Sequence, residues 1–461
     1  MCLQDWGNLT LNWHMPCVIT KVGARHMAPR PESPAAGARS TGLAASYARV
    51  DEKELVLEHV CVLFRHGDRS PISRNVSANV RMTPPETDLW VSRLAELSVV
   101  GALNSGTRVV EYHRGECSDK GCFGQQSEVP PPPQQGGRWP CGQLTAKGID
   151  MMRAKGQQLR EQYKELVGDM EYPVQQVHVQ STNIRRTIRS AQSLLVGLFP
   201  EYFVNVDADN QLAAGERLLP DSRRFLQNVQ THRVRRRDDV FVIHADDSNS
   251  LAPQHSYELY RDLGKMLAEE LEQHAPPGFA EVSQKISSII GAGSSKLVAW
   301  TGLREVLICR QAHGLAFPDG LGQQLFAQIC EYDAWLWHHL YGKTDFCRAS
   351  FKVGVQRIYS YLAGVTQGAT RHKLSLFSAH DNSLVALVNA LQLQVPRVIP
   401  PYGAILTFEV FRHRVTGEFY LKALFEGVEA PFAGHEHSAL CPFAVFAQAA
   451  QNFLQVPGAA L

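Results

Sequence analysis

The segment Arg65-His66-Gly67-Asp68-Arg69-Ser70-Pro71 places one imidazole between two guanidiniums. Guanidiniums present forked donors suited to phosphate or carboxylate oxygens, and an imidazole is a competent nucleophile. A histidine in that setting sits where an anion would be held. Much later, Ala379-His380-Asp381-Asn382-Ser383 adds a second imidazole and a carboxyl group. Together the two stretches contain a nucleophile, several cationic or donor groups and a candidate proton donor. Loops rarely collect these types by chance, and each lies at the end of an apolar run.

Those runs indicate how the groups are positioned. Val60 to Phe64 is a five-residue apolar stretch of strand length, rich in β-branched and aromatic side chains and ended by Gly67. Val177 to Val179 and Leu374 to Phe377 are two more short strands, each ending in polar residues and followed by a helical pattern. In a parallel sheet the carboxyl ends of strands share one edge, and crevices there bind ligands. Arg65, His66, Arg69, His380 and Asp381 are therefore expected to converge across more than 300 residues of sequence. Helix N-termini at that edge would add N–H groups and positive potential, which favours an anionic guest. After Thr145 the apolar or small residues Ile149, Met152, Gly156, Leu159, Tyr163 and Leu166 recur at helical spacing. After Thr182, Ile184, Ile188, Ala191, Leu195 and Leu198 do the same. Both threonines are expected as caps.

With 461 residues, 44% hydrophobic and 20% charged, the chain can bury a large core, and its net charge of +1 gives nucleic-acid binding no support. No apolar run approaches the roughly 18 residues of a transmembrane helix, so a soluble protein is expected. Residues 1–50 read as an irregular extension. Five basic against two acidic residues there give only a faint likeness to a transit peptide, and no clear secretory signal precedes them. The fold class expected is α/β, a mostly parallel sheet flanked by helices with an inserted α-helical cap. Residues 51–200 and 372–461 form the core in that reading and 201–371 the largely helical insertion. The basic cluster Arg223 to Arg237 reads as a solvated face, and the strand Val240 to Ile243, which leads to His244 and Asp246, reads as structural.

Other chemistries are argued against by missing patterns. No cysteine is followed six positions later by arginine, Asp207-Ala-Asp209 lacks the Thr or Val of an aspartyl-phosphate enzyme, and Gly-x-Ser-x-Gly does not occur. Cys117 and Cys122 lack a second close pair for zinc, which leaves free thiols or disulfides. His338-His339 and His435-Glu436-His437 lack metal spacing and are expected at the surface.

Three elements in this order and at this spacing, "RHGDRSP", "STNIRRTIRSAQSLLVGLFP" and "SAHDNS", resemble the histidine acid phosphatases. "CRQAHGLAFPDG" extends the likeness toward the lysophosphatidic acid phosphatase branch. The resemblance covers roughly residues 55 to 445. It implies an α/β fold with a helical cap and hydrolysis of small phosphate monoesters without metal or other cofactor. It implies His66 as nucleophile, Asp381 as proton donor, and Arg65, Arg69 and His380 as phosphate ligands. Gln180 stands where the family carries a third clamping arginine, so a weakened clamp is expected unless Arg185 or Arg186 leans in. Two alternatives stand beside this reading: a phytase or sugar-phosphate phosphatase, and a phospholigand-binding homologue of weak or no activity.

Overall fold

The computed structural model describes residues 52–111, 134–203, 239–246, 250–255, 269–271, 273–292 and 300–455. Residues 1–50, Cys117, Cys122, Asp207 to Asp209, the basic cluster and most of the helical pattern after Ser256 lie outside them.

The strands are, in chain order, β1 (Leu55–Arg65), β2 (Asn75–Ser77), β3 (Val80–Arg81), β4 (Thr107–Glu111), β5 (Val177–Thr182), β6 (Phe241–Asp246), β7 (Leu374–Ala379), β8 (Ile405–His413), β9 (Phe419–Phe425), β10 (Val428–Glu429) and β11 (Leu440–Pro442). Nine of them form one sheet in the order β10-β9-β8-β1-β7-β5-β6-β4, with β11 on β9. From β1 to β4 all neighbours are parallel; β8 joins β1 antiparallel and opens an antiparallel wing. The short β2–β3 hairpin stands apart.

Strand β1 shows why the run from Val60 to Phe64 is uninterrupted. Val60, Val62 and Phe64 pack on one side with residues of the helices Ala146–Gln162 and Arg185–Leu198. Cys61 and Leu63 pack on the other with residues of Thr344–Thr366, Asp381–Ala390 and Phe443–Leu454. A strand covered on both faces needs apolar residues at every position. Each fully buried Val or Phe there contributes about 1.5–3 kcal/mol.

The two early helices start differently. Thr145 caps the first, its hydroxyl accepting the Gly148 N–H at 3.0 Å. The second begins at Arg185 behind Ile184 without a side-chain cap, so Thr182 is not its cap as the spacing suggested. Thr182 is still strand, and its hydroxyl lies 2.8 Å from that of Thr187 and 3.1 Å from His380 Nε2. Gly67 and Gly148 let the loop after β1 sit on the first helix. A Cβ on Gly67 would lie 2.5 Å from the Gly148 carbonyl oxygen, and one on Gly148 2.1 Å from that of Asp68.

A separate apolar cluster joins the helices Phe279–Ile290, Trp300–Ala312 and Gln323–Gly342 through Phe279, Ile286, Trp300, Leu307, Ile329 and Tyr332, with Val80 of the hairpin. The 201–371 interval is not uniform. Its strand β6 pairs with both β5 and β4 because Phe241, Ile243 and Ala245 are buried on the sheet, and its 344–366 helix joins the sheet's own core. Among the described residues no helix is long and apolar enough to cross a membrane.

Candidate active site

Strands β1, β7 and β5 are adjacent, so their carboxyl ends meet. Arg65 closes β1 opposite Ala379 of β7, and the His66 N–H donates to the Ala379 carbonyl at 3.1 Å. His380 follows at once, with its ring centroid 5.6 Å from that of His66. The sheet thus brings together Arg65, His66, Arg69, His380 and Asp381, as the strand ends predicted.

His66 is 2% exposed. Its Nδ1 lies 2.9 Å from the Gly67 carbonyl oxygen, which can only accept, so Nδ1 carries the proton and Nε2 the lone pair. Burial, then Arg186, Arg69, Arg65 and His380, push its pKa well below the usual 6.5. His380 is held down in the same way, first by burial and then by Arg186, against the pull of Asp381. Both rings are neutral. Asp381 lies 3.0 Å from Arg65 and 3.3 Å from Arg304, and accepts the Asn382 N–H at 2.9 Å. Burial alone would raise its pKa; Arg65, Arg304 and Arg69 outweigh that and keep it below the usual carboxylate range.

Each arginine is anchored from a different element. Arg65 donates to the Pro400 carbonyl at 2.5 Å and stacks 4.2 Å from the centre of the Tyr402 ring. Arg69 pairs with Glu305 of the 300–312 helix, which also accepts the Ile72 N–H at 2.7 Å. Arg304, next to Glu305, pairs with the fully buried Asp333. Asp68 ties the motif loop to its surroundings through Thr145, 2.5 Å away, and His313, 2.6 Å away.

Arg186 is the exception. It is 7% exposed, donates to the Gly136 carbonyl at 3.2 Å, and has no ion pair among the described residues. Burial and the charge of Arg69 lower its pKa to about 9. Of the charges acting on His66 and His380, that of Arg186 is the largest. Arg65, Arg69 and Arg304 thus each pair with a carboxylate (Asp381, Glu305 and Asp333), and among the described residues Arg186 does not.

Gln180, the position of the third clamping arginine in the resemblance, makes no side-chain hydrogen bond among the described residues. It is fully buried in mid-β5 beside Phe377 and His244, and makes no hydrogen bond to Arg65, His66, Arg69, His380 or Asp381. Strand alternation puts it on the face shared by His178, whose ring stacks on Tyr361, and by Thr182, whose hydroxyl lies 3.1 Å from His380 Nε2. Arg185 faces a small cavity with Arg189, Leu94 and Trp139 instead. Arg304, Glu305, Asp333 and Tyr402 were not foreseen. Their one sequence signal was charge set among apolar residues, Leu303-Arg304-Glu305-Val306-Leu307, on a helix about to be buried. His338 is also no surface group: it is 5% exposed and hydrogen bonded to the Val398 carbonyl at 3.0 Å.

Buried histidines at a parallel-sheet edge among four arginines make a site suited to an anion, and a family likeness covers most of the chain. Residues 56–426 match the histidine phosphatase superfamily, branch 2, and the chain belongs to that superfamily as a hydrolase. Bovine prostatic acid phosphatase is 24% identical over 383 residues, covering 78% of this chain and 90% of its own. Bovine lysophosphatidic acid phosphatase type 6 is 26% identical over 411 residues, covering 86% and 83%. Hafnia alvei phytase in its apo form shares the fold, with a TM-score of 0.53 over 88% of this chain and 98% of that one at 14% identity.

Proposed function

We propose that the chain hydrolyses phosphate monoesters through a phosphohistidine at His66. Arg65, Arg69, Arg186 and His380 hold the phosphoryl oxygens, and Asp381 supplies the leaving-group proton. The observation that carries this reading is Arg186, a buried cation with no ion pair among the described residues, beside the imidazoles of His66 and His380. A buried charge is normally paired, and a phosphoryl group would complete the pair.

The Nε2 lone pair of His66 attacks phosphorus while the ester P–O bond breaks and the departing oxygen takes the Asp381 proton. Water then attacks the phosphohistidine, giving its proton back to Asp381, and the P–N bond breaks to release phosphate and neutral His66. Charge on the three outer oxygens is met by guanidiniums already in place.

Asp381 must be protonated when the ester arrives, yet Arg65 and Arg304 hold it as a carboxylate. A bound phosphate dianion competes for Arg65 and adds a negative charge nearby. Both effects raise the Asp381 pKa, so substrate binding itself promotes proton uptake. His66 resists protonation as the pH falls, since its own pKa lies well below 6.5. Acid pH therefore loads the donor and spares the nucleophile.

For the substrate we favour phosphate esters of alcohols, whose poor leaving groups need that proton. Lysophosphatidic acid is the first candidate, on the likeness to the type 6 phosphatases. The test is turnover of para-nitrophenyl phosphate and lysophosphatidic acid at about pH 5 by wild type and by His66→Ala. Hydrolysis by wild type alone supports the reading; equal rates, or none with either substrate, defeat it.

A further inference from the structure

A second cavity, of about 580 Å³, lies away from the catalytic cluster. Volumes of this order hold small metabolites. Three helices end on it: Tyr341 and Gly342 close the 323–342 helix, Val388 to Ala390 close the 381–390 helix, and Asn452 and Phe453 lie at the end of the 443–454 helix. Helix carboxyl ends each carry roughly half a negative charge. Among the described lining residues none is acidic, and Arg397 is the one formally charged group. The end of the 443–454 helix is already met by Arg348, which donates to the Phe453 carbonyl at 2.7 Å, so Arg397 faces two helix ends and little net charge is left. The rest of the polar lining is amide, hydroxyl and the imidazole of His338, all of which can donate and accept.

The wall is connected to the phosphate site. Asn389 Nδ2 lies 3.2 Å from His338 Nδ1, and His338 Nε2 lies 3.0 Å from the Val398 carbonyl oxygen. The carbonyl fixes the proton on Nε2, so Nδ1 accepts from the amide, and both bonds are satisfied by one neutral tautomer. Two residues after Val398 comes Pro400, whose carbonyl receives the Arg65 guanidinium. Tyr402 then stacks on Arg65, and the Gly403 N–H donates to the His66 carbonyl at 3.1 Å. One short segment, 395–404, thus forms part of the cavity wall at one end and braces Arg65 and His66 at the other.

We propose that this cavity binds a neutral polyhydroxylated ligand, a monosaccharide or cyclic polyol, and that its occupancy is coupled to phosphate binding at Arg65. A hydroxyl bonded to Asn389 competes with His338 for the amide and so shifts the Val398–Pro400 segment. By reciprocity, phosphate at Arg65 changes the affinity of the cavity by the same factor. The binding claim stands independently of the proposed catalytic roles; the coupling claim rests on Arg65 as a phosphate ligand.

The test is calorimetric titration of the full chain with glucose and with myo-inositol, with and without saturating inorganic phosphate. Citrate and spermidine serve as charged controls. Saturable one-site binding of a neutral probe is expected, with an affinity that phosphate changes roughly fivefold or more. Thr344→Trp, an exposed position that would fill the cavity, and Arg397→Ala should each abolish or greatly weaken it while phosphatase activity without the probe stays at the wild-type level. Binding is overturned if neither neutral probe saturates, if citrate or spermidine binds in their place, or if both variants bind like wild type. Coupling is overturned if the probe affinity is the same with and without phosphate. Phosphate titrated alone reports on the catalytic site, so its failure to bind would be seen as a separate result.

Discussion

The sheet carries buried histidines toward both ends, and the two groups differ in one decisive respect. At the carboxyl ends, His66 and His380 stand among arginines, one of which has no ion pair among the described residues. Toward the amino ends, His178 stacks on Tyr361, His244 and His372 with centroids 4.9, 5.2 and 5.6 Å away, and His59 lies 5.8 Å from Tyr361. His59 bonds the His372 carbonyl and Ser375 at 2.9 Å each, and Tyr361 and Thr370 both approach His372 Nδ1 to 2.8 Å. Burial lowers the pKa in both groups; His59, His244 and His372 fall to about 4. A depressed histidine is therefore no mark of catalysis by itself. What separates the two ends is a buried arginine with no ion pair among the described residues beside the imidazoles.

The largest expected effect separates the ends directly. His66→Ala should lower kcat by about 10⁴-fold or more, since the covalent route is lost. His178→Phe, at the other end, should leave kcat and KM for para-nitrophenyl phosphate unchanged. If the second variant lost activity like the first, the distinction would fail.

Next in size is Arg186→Ala. Removing one preorganised charge from such a site lowers the rate by about 10²–10³, roughly 3–4 kcal/mol. Gln180→Arg should bring no gain, and instead lower the melting temperature by burying a cation at a fully buried strand position. A several-fold rise in kcat/KM for Gln180→Arg, with Arg186→Ala harmless, would restore Gln180 as the vacant clamp position.

These two residues also show where the sequence could be read and where it could not. Strand β1, its arginine-flanked histidine and the distant His380-Asp381 pair were legible because strand ends in a parallel sheet share an edge whatever their separation. Gln180 was legible as a position in a motif, but such a position does not give contacts. It shares a face of β5 with Thr182, and Thr182 is the one bonded to His380, while the helix that carries Arg186 begins only at Arg185. Arg304 and Glu305 carried only the local signal of charge among apolar residues: their partners Asp381 and Arg69 lie 77 and 236 residues away, with no pattern linking them.

A smaller, substrate-dependent effect is expected at Asp381. Asp381→Asn should slow hydrolysis of alcohol esters strongly and of para-nitrophenyl phosphate much less, because nitrophenolate departs without a proton. In wild type kcat should fall as pH rises through the pKa of Asp381 in the complex, and the variant should lose that limb. Equal losses on both substrates would assign Asp381 to binding alone.

The smallest effect concerns stability at the amino end. Histidines whose folded pKa lies below 6.5 take up protons more readily when unfolded, so their contribution is present above about pH 6.5 and lost as pH falls toward the folded value. For a fully buried ring such as His59 the loss approaches about 1.4 kcal/mol per pH unit. His178→Phe should therefore melt closer to its neutral-pH temperature at about pH 5 than wild type does. Parallel melting curves for the two proteins across that range would contradict it.

The covalent role of His66 is tested most directly by quenching the enzyme with alkali within milliseconds of mixing it with labelled substrate, then locating the phosphate by peptide mass spectrometry. The phosphohistidine route predicts a base-stable, acid-labile phosphate on His66 in wild type, more abundant in Asp381→Asn with para-nitrophenyl phosphate and absent in His66→Ala. Full turnover with no phosphate on His66 at any quench time, or label on another residue that survives His66→Ala, would contradict it.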